Sequence, residues 1–307
     1  MTSGVVFLDK PYGWTSRQAV NAMIRLYTQP GEKRIKAGHA GTLDPLATGM
    51  LPILLGEATR YAEMGLSADK SYRVSFDLSY QTDTLDCEGE VVARCDGAVD
   101  QAAVQTALAA FTGLIEQVPP AYSAIRIDGK RAHAMARKGE AVHIPARPVT
   151  VHAITLVAFE FPLVTLQVDC SKGTYIRSLA RDIGAALGMG GCVTALRRLS
   201  TGGWPEAMMV TLEQLQAQPD SCVLPLAQWL REMPGVTLEQ DMASRFVQGQ
   251  RIQLQAASGA PDPGDGQLPV RVFAGELLLG TGMLKSGHHR TVLHPSRILP
   301  TAQQRYI

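Results

Sequence analysis

One carboxylate stands out by its setting. Asp44 lies in the stretch KAGHAGTLDPLATGMLPILLG, from Lys36 to Gly56, just before Pro45 and among glycines at 38, 41 and 49. Glycine permits backbone conformations that a Cβ forbids and lets another molecule approach closely. Proline fixes its own φ and pushes the preceding residue out of the helical region. The Asp44 carboxylate is therefore expected on a stiff, uncovered turn, anchored to a core by the apolar run Met50 to Leu55. A catalytic acid group suits such a place. So does an ordinary turn, because Asp bonds its own backbone, and composition alone leaves both readings open.

Two more residues have types and positions that invite chemistry. Arg177 lies in SKGTYIRSLARDIGAALG, where Ile176, Leu179, Ala180 and Ile183 form the buried stripe of a helix. Thr174 is expected to cap that helix and Gly188 to stop it. Arg177 is one position off the stripe, in a first turn whose dipole favours anions over cations. That placement points to an anion held nearby; a solvated surface arginine is the alternative. Tyr72 begins a run in which Tyr72, Val74, Phe76, Leu78 and Tyr80 alternate with Arg73, Ser75, Asp77 and Ser79. Period two predicts a half-buried strand, and on pattern alone Tyr72 is a core or edge aromatic.

The elements that must position these residues follow in order. Val5 to Leu8 is a short strand leading into the turn DKPYGWTS. Thr15 or Ser16 then caps a helix with apolar positions Val20, Met23, Ile24 and Tyr27. Val99 to Phe111 is an amphipathic helix, and Val149 to Cys170 alternates as strand. Between them, residues 119–147 are bounded by prolines and read as an inserted arm. Pro225 to Gly235 is a boundary. Beyond it come one short helix (LEQDMASRFVQG) and short strands, with a hairpin around Ala274–Glu276; close spacing suggests a small barrel.

The chain has 307 residues, 46% of them hydrophobic, enough for one large domain or two. No apolar run reaches membrane-spanning length, and the N-terminus, with Asp9 and no long apolar region, does not read as a signal peptide. Five scattered cysteines form no CxxC pair, which fits a reducing cytoplasm. Net charge is +1, but its distribution is uneven. Residues 126–147 and 170–200 each carry a balance of +4, and residues 77–100 one of −6. Such asymmetry can make a phosphate-attracting face on a nearly neutral molecule; solvated helical faces are the plainer reading.

The segment GHAGTLDPLATGMLPI resembles the active-site segment of the TruB family of bacterial pseudouridine synthases, which isomerise the uridine at position 55 in the T loop of tRNA. DKPYGWTS matches that family's DKPxGxTS motif, and CSKGTYIRSLARDIG a further one; the motifs cover most of residues 5 to 205. The resemblance implies an α+β fold. A mixed or antiparallel-sheet catalytic domain would span 1–235, with 119–147 as a thumb that closes on the T loop, and a PUA-like RNA-binding domain would span 236–307. It makes Asp44 the catalytic aspartate and Arg177 its partner. Tyr72 would stack on the target uracil, Tyr175 would line the uracil pocket, Leu196 (in VTALRRLS) would pack near the base, and His39 would wedge into the loop the base has left. Lys130, Arg131, Arg137 and Lys138 of the arm, with Arg197 and Arg198, are candidates for RNA or phosphate contact, and Lys10 is a weaker one. QTDTLDCEG resembles the family's next loop, although Arg more often stands where this chain has Gln81.

The implied reaction exchanges a C–N glycosidic bond for a C–C bond within one nucleotide. It needs no redox change and no external donor, so no cofactor is implied. Asp44 would attack C1′ or abstract a sugar proton; both routes need it ionised, which a neighbouring arginine favours. The base must be extruded, at about a few kcal/mol, from a loop read by stacking and shape. The expected partner is the tRNA T stem-loop, and the chain is expected to be monomeric and cytoplasmic. His288, His289 and His294 lack a Cys or acid at ligand spacing, so no metal is expected. Two other classes stay in view. A non-catalytic RNA-binding protein would bind without product. A glycoside hydrolase generally needs two carboxylates, where the sequence offers one clear candidate.

Overall fold

The computed structural model describes residues 2–123, 125–127, 130–131, 135, 144–254, 260–264, 266–287 and 290–306. Contacts group the chain into two compact units: residues 6–53 with 60–222, and residues 1–5, 54–59 and 223–307. The fold is α+β.

The larger unit is built on a mixed sheet. Its strands are β1 (Gly4–Lys10), β2 (Ala37–His39), β3 (Thr48–Leu55), β4 (Lys70–Asp77), β7 (Gly113–Gln117), β10 (Arg147–Glu160), β11 (Leu163–Cys170) and β12 (Cys192–Thr201), in the order β1-β3-β12-β4-β11-β10-β7 with β2 on β3. Pairing is antiparallel from β7 across to β12 and parallel where β12 meets β3. Two small hairpins lie off this sheet: β5 (Tyr80–Thr82) with β6 (Val91–Arg94), and β8 (Arg126–Ile127) with β9 (Lys130–Arg131). The last lies within the expected arm.

The period-two reading of β4 is borne out. Lys70, Tyr72, Val74 and Phe76 are buried, and Arg73 is exposed. Across the register, Tyr72 lies between Val168 of β11 and Arg198 of β12, and Val74 between Leu166 and Leu196. Directly opposed residues share a sheet face, so Tyr72, Leu196 and Arg198 are on one face. In β3, Met50, Leu51, Ile53, Leu54 and Leu55 are wholly buried. At roughly 1.5–3 kcal/mol for each large apolar side chain, this run holds the preceding loop firmly.

Helix Ser16–Tyr27 begins with a capping box, Thr15 with Gln18, and buries Val20, Met23, Ile24 and Tyr27 as the spacing predicts. Helix Ile176–Ala186 ends at Leu187, followed by Gly188 at φ +69°. Its start differs from expectation. Thr174 does not cap it; its hydroxyl donates to the Ser171 carbonyl at 3.0 Å. The side chain of Gln117 grips Tyr175 instead, accepting from its amide at 2.8 Å and donating to its carbonyl at 3.1 Å.

The smaller unit holds a five-stranded sheet: β13 (Gly235–Thr237), β15 (Gln267–Ala274), β16 (Leu277–Gly287), β17 (Arg290–Ile298) and β14 (Ile252–Leu254), in that order. The β15–β16 hairpin turns at Gly275, φ +57°, where the sequence places it. Helix Gln240–Val247 is the expected short one.

Gly49 fixes where the Asp44 loop enters the sheet. It has φ +93°, and a Cβ there would lie 2.3 Å from the Arg198 carbonyl oxygen. Gly13, at φ +76°, has open space around it. G49A should therefore cost more than about 3 kcal/mol, and G13A about 1–2 kcal/mol, read as urea midpoints. Equal losses would contradict this account of Gly49.

Candidate active site

The loop from Gly41 to Met50 is clamped from several directions. The Ser16 hydroxyl donates to the Leu43 carbonyl and accepts from the Leu43 amide, both at 2.9 Å. The amide of Gly13 donates to the Pro45 carbonyl at 2.9 Å, and the Ala47 amide to the Asp44 carbonyl at 3.1 Å. Lys10 is fully buried, and its ammonium donates to the carbonyls of Pro11 (2.9 Å), Trp14 (2.6 Å) and Pro45 (3.3 Å). It is a strut under the Asp-Pro turn and has no exposed surface for RNA, which corrects the expectation for Lys10. Arg198 is likewise buried. Its Nε donates to Met50 O at 2.6 Å, Nη2 to Gly41 O at 3.2 Å and Nη1 to Thr42 O at 3.4 Å.

Helix Ile176–Ala186 brings Arg177 to this loop. Its Nε lies 3.0 Å from Asp44 Oδ2, with the Arg177 side chain 6% exposed and that of Asp44 36%. The stripe argument is thus resolved in favour of an anionic partner, and Arg177 is not a surface residue. Three further groups hold the guanidinium. Nη1 donates to Thr84 O at 2.6 Å and lies 3.4 Å from Asp86 Oδ2, while Nη2 donates to Tyr122 O at 3.0 Å. A buried cation is tolerated when it is paired and its donors are satisfied. The carboxylate, in contrast, keeps a face open to solvent.

Asp86 was not singled out in the sequence. It is buried, and its Oδ1 accepts from the Thr84 hydroxyl at 2.7 Å and the Glu88 amide at 3.2 Å. The turn that sends it inward passes through Leu85, at φ +64°. The signal available was the match of QTDTLDCEG to a family loop.

Tyr72 is 8% exposed, and burial pushes its phenol up from the ordinary value, with the Arg198 charge opposing that rise. It stays protonated near neutrality and is a poor base. Tyr175 is half-buried and its phenol is also raised by burial; Asp44 is among the charges that act on both hydroxyls. Leu196 is buried on the Tyr72 face of the sheet. His39, on β2, has a buried Nδ1 without a hydrogen-bond partner among the described residues, and burial with the Arg198 and Arg17 charges lowers its pKa. Its imidazole is neutral at pH 7.

The two arginines after Leu196 are not free for phosphate. Arg198 is buried as described. Arg197, on the other face, pairs bidentately with Asp9 (2.9 and 2.9 Å) and with Glu206 (2.8 Å), which raise its pKa. Strand alternation sends one inward and one to carboxylates. Lys130 and Arg131 have described backbone only, and Arg137 and Lys138 lie outside the described residues. So do His288 and His289; His294 lies on β17 opposite Met283. Among the described residues, no cluster of three or more His, Cys, Asp or Glu could hold a metal, and no helix is long and apolar enough to cross a membrane. A cavity of about 250 Å³ is lined by Asp9, Lys10, Pro11, Thr48 and Thr211–Glu213, and not by Asp44, Tyr72 or Arg177.

Residues 28–176 match the N-terminal domain of the TruB family pseudouridylate synthases, 177–232 the tRNA pseudouridylate synthase B C-terminal domain, and 234–299 the C-terminal domain of pseudouridine synthase II TruB. A Cupriavidus pinatubonensis protein named tRNA pseudouridine synthase B is 43% identical over 305 residues, covering 96% of this chain and 94% of its own. The chain belongs to the TruB family. A Burkholderia mallei member of the same name is 44% identical over 303 residues, 97% of either chain. Among solved structures, a chain of a Cbf5–Nop10–Gar1 complex aligns with TM-score 0.72 at 24% identity, over 99% of this chain and 86% of that one. An archaeal box H/ACA Nop10–Cbf5 complex gives 0.70 at 23% identity, over 99% and 88%. Those two likenesses bear on the fold alone.

Burial lowers the Lys10 pKa from 10.5 to about 8. Between those values the folded chain has released a proton that the unfolded chain still holds, so stability rises with pH there; below pH 8 both states are charged and the burial penalty is present in full. The stability of the wild type relative to K10M should therefore climb from pH 8 to 10.5, measured by urea unfolding of both. A flat difference would contradict the burial of this ammonium.

Proposed function

We propose that this TruB-family chain isomerises uridine to pseudouridine at position 55 in the T loop of tRNA, with Asp44 as the catalytic group. The observation that carries the reading is the ion pair of a buried Arg177 with a half-open Asp44 at 3.0 Å. The names of the relatives described above support the reaction and the tRNA substrate.

The chemistry follows from the pair. Arg177, 3.0 Å away, fixes the direction of the carboxylate. The target nucleotide is extruded so that its ribose meets the open face of Asp44. Asp44 attacks C1′ or takes a sugar proton. The C1′–N1 bond breaks with its electron pair on the uracil, the base turns, and C5 bonds to C1′ as the Asp44–C1′ bond breaks or, on the second route, as Asp44 returns the proton to the sugar. The C5 proton then leaves and N1 gains one, so atoms and electrons balance without a cofactor. Tyr72 holds the uracil by stacking, worth about 1–3 kcal/mol per base; at 8% exposure its ring must be uncovered as RNA binds. Tyr175 and Leu196 line the base pocket, and His39, neutral and lacking a partner at Nδ1 among the described residues, enters the vacated loop.

On this reading residues 1–235 form the catalytic domain, 119–147 its thumb with Lys130, Arg131, Arg137 and Lys138 toward RNA, and 236–307 a PUA-like RNA-binding domain. The enzyme works as a cytoplasmic monomer.

D44N should lower tritium release from C5-labelled uridine in a T-loop transcript by at least about 1,000-fold, or about 4 kcal/mol, with RNA affinity within about threefold. Full activity would refute the assignment. Free uracil as the product would instead indicate a hydrolase.

A further inference from the structure

We propose that Arg198 is a positioning residue for the isomerisation: one buried guanidinium, on the strand position beside Tyr72, that fixes the Asp44 loop on both flanks of the carboxylate. The inference rests on the assignment of Asp44 above.

Arg198 is 1% exposed. On β12 it stands between Tyr72 of β4 and Gly49 of β3. Its donors reach the carbonyls of Gly41, Thr42 and Met50, on both flanks of Asp44. Among the described residues no carboxylate forms an ion pair with it. A buried arginine without such a partner is rare. Here its rigid fan of five donors is matched to backbone oxygens, a match that a point charge on a flexible stem cannot reproduce. Two glycines make room for it. A Cβ on Gly41, at φ +125°, would lie 3.3 Å from Arg198 Nη1, and one on Gly49 would meet the Arg198 backbone. The charge also acts beyond its hydrogen bonds, since it is among the causes that lower the pKa of His39, Lys10 and Lys70. A residue needed for packing alone would have none of these electrostatic consequences.

The test compares R198M and R198K with wild type for single-turnover pseudouridine formation, T-loop RNA affinity and NMR titration of His39. A misplacement of the reacting groups by about 1 Å is worth about 100-fold in rate. R198M should lose about that factor with RNA affinity within about threefold, and its His39 pKa should rise toward the ordinary 6.5. R198K keeps the charge, so its His39 titrates as in wild type, yet its rate should fall at least about tenfold. R198K also stands in if R198M does not fold. Wild-type rates in R198K, or a loss confined to RNA affinity, would overturn the proposal. A wild-type protein that forms no pseudouridine would instead overturn the reading of Asp44, whatever His39 does.

Discussion

A guanidinium that leaves water must be compensated where it lies, and Arg177 meets that demand with four groups from three separate segments. Asp44 comes from the loop before β3, Thr84 and Asp86 from the turn after β5, and Tyr122 from the start of the arm. Helix Ile176–Ala186 delivers the cation, and its first residues are held by Gln117 of β7 and by the Ser178 hydroxyl on the Val118 carbonyl at 2.9 Å. Satisfying one charge therefore brings distant parts of the chain to one point. The consequence for chemistry is an asymmetry: the cation is closed off and the anion it orients is not. A carboxylate in that state is aimed and reachable.

Aiming a carboxylate is useful only if its loop cannot drift. Lys10, Ser16 and Arg198 hold the carbonyls and amides that flank Asp44, and the buried run of β3 anchors the far end. Two of these three clamps are cations inside the protein, bonded to backbone oxygens. Their burial lowers the Lys10 pKa, and Arg198 helps to keep His39 neutral. The loop is thus held firmly, beside an imidazole that is neutral at pH 7.

Much of this was legible in the chain. Period two gave β4 and its buried face, the Thr15 cap gave the first helix, and the off-stripe place of Arg177 gave its anionic partner. What escaped was long-range. Thr174 looks like a cap, but Gln117, 58 residues away, takes the job. Lys10 and the Arg197–Arg198 pair look like surface cations, because burial of a charge depends on carbonyls that only the fold assembles. Alternation from Leu196 could have placed Arg198 inward, though not found its partners. Asp86 hid for the same reason: its inward turn needs a left-handed Leu85, which no local pattern announces.

The central claim is that Asp44 and Arg177 act as one unit. A double-mutant cycle on the single-turnover rate of pseudouridine formation, using D44N, R177M and the double variant, tests it most directly. The account predicts that the double variant is no slower than D44N alone, since Arg177 works through the carboxylate. Losses that simply add would contradict it.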